Sequence, residues 1–358
     1  MKLRVDTGEF LEALGLCSKV VAGGRPSALV YSSIALAAKG DEVVLMGSDG
    51  ELTIRVRVSA TIREEGSCLV VPRPVLRYLA GFVEKECILE DEGAGDLVIS
   101  GDNSSAYRFR TVLGSFPQPP KIQGEVRDVD MRQLGAGLSL VRSAVDKSKR
   151  LVQLVSVDKS LSLTTTDSYR LAQTVLPGAG FGDFTGVVPL SMLEQLGSDT
   201  TSVVVDAGGR AIEFRSDRVI YTARLAVGSF PAVESIINSR PERMVTLPVA
   251  SMRKAVERLS SVSPNAPVWC TLDQRKLVLK VEEREVGSGE EALDIKGNVS
   301  PEMTFGLNLS YLGDALVGQG DEVDLYYSDP HSPFYFCFEG NESEASLTVA
   351  IGAAAVEV

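Results

Sequence analysis

Few side chains in this chain are equipped for catalysis. His331 is its one histidine and sits in Asp329-Pro330-His331-Ser332-Pro333, a turn-rich loop, so a histidine acid or base could exist at most once. Carboxylates are plentiful, but they gather in runs such as Glu282-Glu283-Arg284-Glu285 and Glu290-Glu291. Those runs read as the solvated face of an exposed hairpin, not as a paired acid and base. Cysteines at 17, 68, 87, 270 and 337 are odd in number, widely spaced and mostly in apolar surroundings, which suits reduced core thiols better than a zinc or disulfide framework. No Gly-x-x-x-x-Gly-Lys-Ser/Thr loop, Cys-x-x-Cys or His-Glu-x-x-His is present. Gly178-Ala179-Gly180-Phe181-Gly182 does not open a helix after a strand, as a dinucleotide site would. The expectation is a protein that is not an enzyme and needs no metal or cofactor.

Charge placement is more informative. A net charge of −12 argues against binding nucleic acid over the whole surface. Yet in residues 131–150, Arg132, Arg142, Lys147, Lys149 and Arg150 stand against Asp146 alone. In residues 72–85, Arg73, Arg77 and Lys85 oppose Glu84, and in residues 249–260, Arg253, Lys254 and Arg258 oppose Glu257. Three further helix candidates, 7–22, 189–197 and 309–317, do not share the trend. A basic helical layer in an otherwise acidic chain would attract phosphates to one surface and repel them elsewhere. The plain alternative is that surface helices often carry Lys and Arg, and that Lys147, Lys149 and Arg150 form a solvated loop.

The elements that must position these residues come in triplicate. Gly114-Ser115-Phe116-Pro117 reappears as Gly228-Ser229-Phe230-Pro231. Val71-Pro72-Arg73-Pro74-Val75-Leu76 has counterparts in Val188-Pro189-Leu190-Ser191-Met192-Leu193 and in Asn308-Leu309-Ser310-Tyr311-Leu312, and Ser48-Asp49 matches Thr166-Asp167. The period of about 118 residues is a whole domain, not a solenoid unit. Each period opens with an amphipathic helix: Phe10, Leu14, Cys17 and Val21; Leu134, Leu138, Val141 and Val145; Met252, Val256 and Leu259. Alternating strands follow, then a shorter helix that in the first period has Pro72 at its start, then more strands. Pro117-Gln118-Pro119-Pro120-Lys121 and Asn238-Ser239-Arg240-Pro241-Glu242 mark the joins. The reading is an α+β chain of three repeated domains, 1–120, 121–243 and 244–358, each an antiparallel sheet with two helices. Hydrophobic content of 44% is ordinary for a soluble protein, no apolar run reaches membrane length, and the N-terminus lacks a signal-peptide core. A cytoplasmic protein without a membrane partner is expected.

Three segments carry a resemblance. Leu163-Thr164-Thr165-Thr166-Asp167-Ser168-Tyr169-Arg170-Leu171-Ala172, Gly228-Ser229-Phe230-Pro231 and Phe305-Gly306-Leu307-Asn308-Leu309-Ser310-Tyr311-Leu312 stand in the order and spacing of the bacterial beta sliding clamp family, the processivity subunit of DNA polymerase III. The resemblance spans the chain. It implies repeated DNA-clamp domains that close a ring as a head-to-tail homodimer around double-stranded DNA, without base reading. DNA contacts would fall to Arg25, Lys149 and Arg150 by family position, and to Arg73, Arg77, Arg132, Lys147, Arg253 and Lys254 on the basic helices. Edge strands near Tyr107 and Phe109 would meet the partner near Val262 and Glu302. Polymerase and clamp-loader subunits would insert a short apolar peptide into a pocket at Leu151, Thr166, Ser168, Tyr169, Arg170, Leu171, Pro231, Ile236, Asn308, Tyr311, Thr348 and Ala350. The chain departs from the family at that pocket. Ala350 and Gly352 stand where large methionines are usual, a loss of roughly 0.8 kcal/mol per methylene a ligand could have covered. Ser168 replaces the turn glycine, and Ser235 the pocket's arginine. Two other readings stay open: a divergent clamp with an altered or lost client pocket, and a scaffold of the same fold with no DNA role.

Overall fold

The computed structural model describes all residues except 22–28, 92, 94, 102–105, 227, 229, 265, 319, 341–344 and 355–358. Seven helices are found among the described residues: α1 (Thr7–Ser18), α2 (Pro72–Ala80), α3 (Met131–Val141), α4 (Leu190–Leu193), α5 (Glu234–Asn238), α6 (Val249–Ser260) and α7 (Leu309–Ala315). The strands of the described residues pair antiparallel, with turns and loops between them. The chain divides into two compact units, one of residues 1–131 and 194–225, the other of residues 132–193 and 226–358. The middle third therefore contributes strands to both.

In the first unit a 12-stranded sheet is organised by the strand Leu52–Glu64. One end of it pairs with Glu42–Ser48 on one edge and Val219–Arg224 on the other, and its far end pairs with Lys2–Asp6. Helix α1 covers this sheet with Phe10, Ala13, Leu14 and Cys17, all buried against strand residues such as Leu45 and Ile54. Asp6 starts that helix by accepting the Glu9 N–H at 3.0 Å. Burial of this kind is worth about 1.5–3 kcal/mol for each large apolar side chain. The spacing of Phe10, Leu14 and Cys17 predicted the stripe. Val21 lies beyond the end of α1, where the backbone has left the helix.

The second unit holds a 10-stranded sheet. The C-terminal strand Ser346–Ile351 lies between Arg170–Pro177 and Phe334–Phe338. Phe305 stacks on Phe334 at 3.9 Å in its core. Two long strands, Pro267–Glu283 and Gly287–Asn308, form a hairpin whose tip carries the Glu282–Glu291 acids, so the expected exposed hairpin is there. The helix expected over 131–150 is shorter. After Val141 a single 3-10 turn, Arg142–Ala144, ends it, and Asp146 then builds a separate turn. Of the small residues thinning this helix, Gly137 has a packing reason. A Cβ there would lie 2.6 Å from Leu176 Cδ1, while one at Gly135 would meet nothing.

All five cysteines are free and buried. Burial pushes the thiols of Cys17 and Cys68 up to about 12 and that of Cys87 to about 11. They are inert core residues. No described helix is long and apolar enough to cross a membrane.

Candidate functional site

Two turns of the second unit build a cleft of about 220 Å³. The first joins Ser160–Thr166 to Arg170–Pro177. Asp167 Oδ1 accepts the N–H groups of Tyr169 and Arg170 at 3.1 and 3.0 Å, an Asx turn, and Thr166 Oγ1 donates to the Arg170 carbonyl at 2.7 Å. Asp167 thus has a structural role, ordering the turn. Ser168 takes φ 76°, the left-handed conformation for which glycine is the ordinary residue.

Arg170 is the keystone of this turn. Its side chain is only 8% exposed, with Nε donating to Asp167 Oδ2 at 3.1 Å. Its other nitrogens donate to the Ser143 carbonyl and to Asp314 of α7, and the guanidinium lies 4.1 Å over the Tyr311 ring. Asn308 places Tyr311 by capping α7, accepting the N–H groups of Ser310 and Tyr311 at 3.0 and 3.2 Å. Burial raises the Tyr311 phenol, and the charge of Asp167 adds to the shift.

The second turn is made by Asp146. Its Oδ1 accepts the Ser148 hydroxyl at 2.6 Å and the N–H groups of Ser148 and Lys149 at 2.7 and 2.9 Å. These bonds, the hydroxyl first, hold its carboxyl down at about 2. The Arg150 N–H donates to the Asp146 carbonyl at 2.9 Å, and the Arg150 carbonyl accepts Leu190 N–H at 2.8 Å. Arg150 is held at φ 50°. A non-glycine residue there costs of order 1–3 kcal/mol and is kept only by its surroundings. Lys147, Lys149 and Arg150 stand exposed on this ordered turn.

The cleft is walled by Asp146, Lys149, Leu151, Thr166, Ser168, Val187, Ala226, Gly228, Phe230 and Pro231. Of the expected pocket residues, Leu151, Thr166, Ser168 and Pro231 are among them. Tyr169, 71% exposed, and Ile236 lie on the surface, while Leu171 and Ala350 are buried in a cluster with Val233, Tyr335 and Cys337. Thr348 is half-buried in the C-terminal strand. Asp146, Lys149, Val187, Ala226, Gly228 and Phe230 are additions, Lys149 having been expected only as a DNA contact. The repeated Gly-Ser-Phe-Pro phrase could have flagged two of them. Val187 and Ala226 carry no local signal, because a single bond from the Ala226 N–H to the Val187 carbonyl, 2.9 Å, brings them together.

The basic residues divide by helix. On α2, Pro72, Val75 and Leu79 are buried and Arg73 and Arg77, four apart, share the exposed face. Arg132 is exposed on α3 and Lys254 on α6. Arg253 is committed elsewhere: its guanidinium donates to the Leu316 carbonyl at 2.9 Å and to the Gly318 carbonyl at 3.1 Å, closing the C-terminus of α7. Arg25 lies outside the described residues. At one sheet edge of the first unit, Ala106–Arg110 pairs, among the described residues, only with Asp96–Ser100. There Tyr78 gathers Tyr107 at 4.3 Å and Phe109 at 5.7 Å, leaving Tyr107 54% exposed. In the second unit the edge is Pro267–Glu283. Val262 is half-buried just after α6, and Glu302 is exposed where the hairpin register shifts.

Comparison with known proteins follows this geometry closely. Residues 1–113 match the family model described as DNA polymerase III beta subunit, N-terminal domain, and residues 234–350 match that of its C-terminal domain. The chain is 22% identical over 360 residues to the beta sliding clamp of Streptococcus pneumoniae R6, covering 92% of this chain and 93% of that one. It is 25% identical over 378 residues to the beta sliding clamp of Synechocystis, covering 94% and 95%. The solved DNA polymerase sliding clamp of Bacillus subtilis superposes with a TM-score of 0.87 at 19% identity over 100% of both chains. That last likeness establishes the fold.

Proposed function

We propose that this chain, which belongs to the DNA polymerase III beta subunit family, works as a sliding clamp: a protein that encircles duplex DNA and tethers the replication machinery to it. The observation that carries the proposal is the exposed cations of α2, α3, α6 and the Asp146 turn on a chain of net charge −12. Each of these clusters draws phosphates, while the acidic remainder of the chain repels them. Enclosure separates retention from affinity, so the contacts can be weak, water-bridged and free of base reading, and the ring can still slide. We take the three modules to be 1–120, 121–243 and 244–358, with six in a head-to-tail homodimer. The strands Ala106–Arg110 and Pro267–Glu283 support this, because among the described residues each ends its sheet, the position from which a strand pairs with another chain.

The cleft of the second unit is the proposed client site. It offers apolar walls with a few polar groups, the profile of a peptide pocket. Polymerase and clamp-loader subunits are the expected clients. We take the role to be binding; the chain's one histidine, His331, is exposed in a turn ordered by Asp329. Buried, inert thiols fit a reducing, cytoplasmic setting.

The test places the protein on circular DNA, raises the salt and then linearises the circle. A ring stays bound through the salt step and is lost on cutting. Loss already at the salt step would leave only electrostatic adhesion, and retention on linear DNA would exclude a sliding ring.

A further inference from the structure

Gly114-Ser115-Phe116-Pro117 is the internal copy of the Gly-Ser-Phe-Pro segment that walls the client cleft, and both copies have the same setting. Gly114 and Gly228 hold φ of 143° and 139°. Just before each, an N–H is donated to an edge strand: Val112 to the Leu69 carbonyl at 2.8 Å, and Ala226 to the Val187 carbonyl at 2.9 Å. Phe116 walls a cleft of about 460 Å³ in the first unit, as Phe230 walls the one of about 220 Å³ in the second.

We propose that the cleft of the first unit is a second peptide site. Its occupant is an extended, apolar segment of a partner protein with a Lys or Arg beside its anchoring side chain. This rests on reading the second unit's cleft as a peptide site. The strand Gly66–Val70 pairs along one edge with Ile34–Lys39. On its other edge the described residues supply the single bridge from Val70 to Thr111 and the bond to Leu69. Backbone groups alternate along a strand, so the N–H and C=O of exposed Ser67 face the same edge as those of Leu69. An incoming extended peptide pairs with those groups by strand addition.

The floor of this cleft receives the side chain. Ala35, Leu69 and Phe116 form a buried cluster, with Met46 and Val112 half-buried over it. Met46 is the adaptable member. Charge separates the two clefts. Asp91 is the one charged residue lining the first among the described residues, whereas the second is lined by both Asp146 and Lys149. A cation on the peptide is therefore favoured in the first cleft and not in the second.

The experiment selects heptapeptides from a displayed random library on the immobilised full-length protein, then measures each by fluorescence anisotropy against variants. Ser67→Pro removes the edge N–H at a position where an edge strand tolerates proline, Ser67→Ala keeps it, and Pro231→Glu places charge at the other cleft. The expected result is a class of peptides that weakens about tenfold or more on Ser67→Pro and is unchanged by Ser67→Ala and Pro231→Glu. That class is enriched in Lys or Arg and weakens about threefold on Asp91→Asn. Met46→Gln, close in volume, is a second lesion should Ser67→Pro fail to fold. If every selected peptide responds to Pro231→Glu and none to Ser67→Pro or Met46→Gln, this proposal is overturned while the client cleft stands. Equal losses on Ser67→Ala and Ser67→Pro overturn strand addition, and recovery of no peptide at all overturns both sites.

Discussion

Arg170→Ala tests whether one side chain holds the client cleft in shape. The guanidinium ties three elements together: the Thr166–Arg170 turn through Asp167, the 3-10 turn through Ser143, and α7 through Asp314 and Tyr311. A hydrogen bond to a charged group in a buried setting contributes about 1.5 kcal/mol, and the Ser143 carbonyl and Tyr311 ring add about 1 kcal/mol each. Asp314 is 41% exposed, so solvent discounts that pair to about 0.5 kcal/mol. Ordering the arginine offsets roughly 1.5 kcal/mol of the sum, leaving a net loss of about 2–3 kcal/mol. Trp269 is the chain's single tryptophan and lies half-buried in the second unit, so its fluorescence during urea unfolding reports the relevant transition. Asp314→Asn should cost under 1 kcal/mol, and Arg170→Lys, which keeps the charge and loses the fork, should fall between. A loss under 1 kcal/mol for Arg170→Ala, or one for Asp314→Asn as large, would refute the account.

Asp146 makes a pH prediction whose sign follows from its lowered carboxyl. Its stabilising contribution is present above the ordinary value of 3.8 and is lost as pH falls through about 2, and Ser148→Ala should move the midpoint upward in an NMR titration. The five thiols should react with a disulfide reagent only on unfolding; fast labelling of the native protein would contradict their burial. Lys149→Ala and Arg150→Ala should each reduce the salt slope of DNA binding by about 1 and weaken binding uniformly across sequences, as measured by anisotropy against salt concentration. Ser168→Gly should raise stability by about 0.5 kcal/mol in urea, since relief of the left-handed strain exceeds the entropy glycine adds to the unfolded chain.

The parts legible in the sequence share a physical property: each is set by neighbours along the chain. The stripe of Phe10, Leu14 and Cys17 is one, and the Asx turn at Asp167 is another. Proline at the start of α2 is a third. The hidden parts are set by residues far apart in sequence. The bonds of exposed Arg253 to the Leu316 and Gly318 carbonyls just after α7 are one such case. Helix α3 stops at Val141 although Val145 continues the apolar spacing: the chain tightens into the Arg142–Ala144 turn, where the Val145 N–H donates to the Arg142 carbonyl and Val145 itself is extended.

The C-terminal strand brings small residues beside the Thr166–Arg170 turn but not into the cleft's walls. The family resemblance implies methionines at 350 and 352, which would be movable there. Here Ala350 faces Tyr335 across the strand pair, and the ring packs with Leu171, Val233 and Cys337 in the space that a longer residue at 350 would need. The Tyr335 hydroxyl donates to the Ile236 carbonyl at 3.0 Å, which fixes the ring. Gly352 donates its N–H to the Tyr169 carbonyl at 2.9 Å, and a Cβ there would stand 3.1 Å from that oxygen. A peptide reaching this strand would meet a fixed, hydrogen-bonded ring beneath it, which costs less entropy to order than methionines would and accommodates fewer shapes. Restoring mobility with Ala350→Met should therefore broaden the range of peptides bound while strain against Tyr335 lowers stability by about 1–3 kcal/mol. A variant that bound the same peptides as the parent would show that the strand does not set the choice.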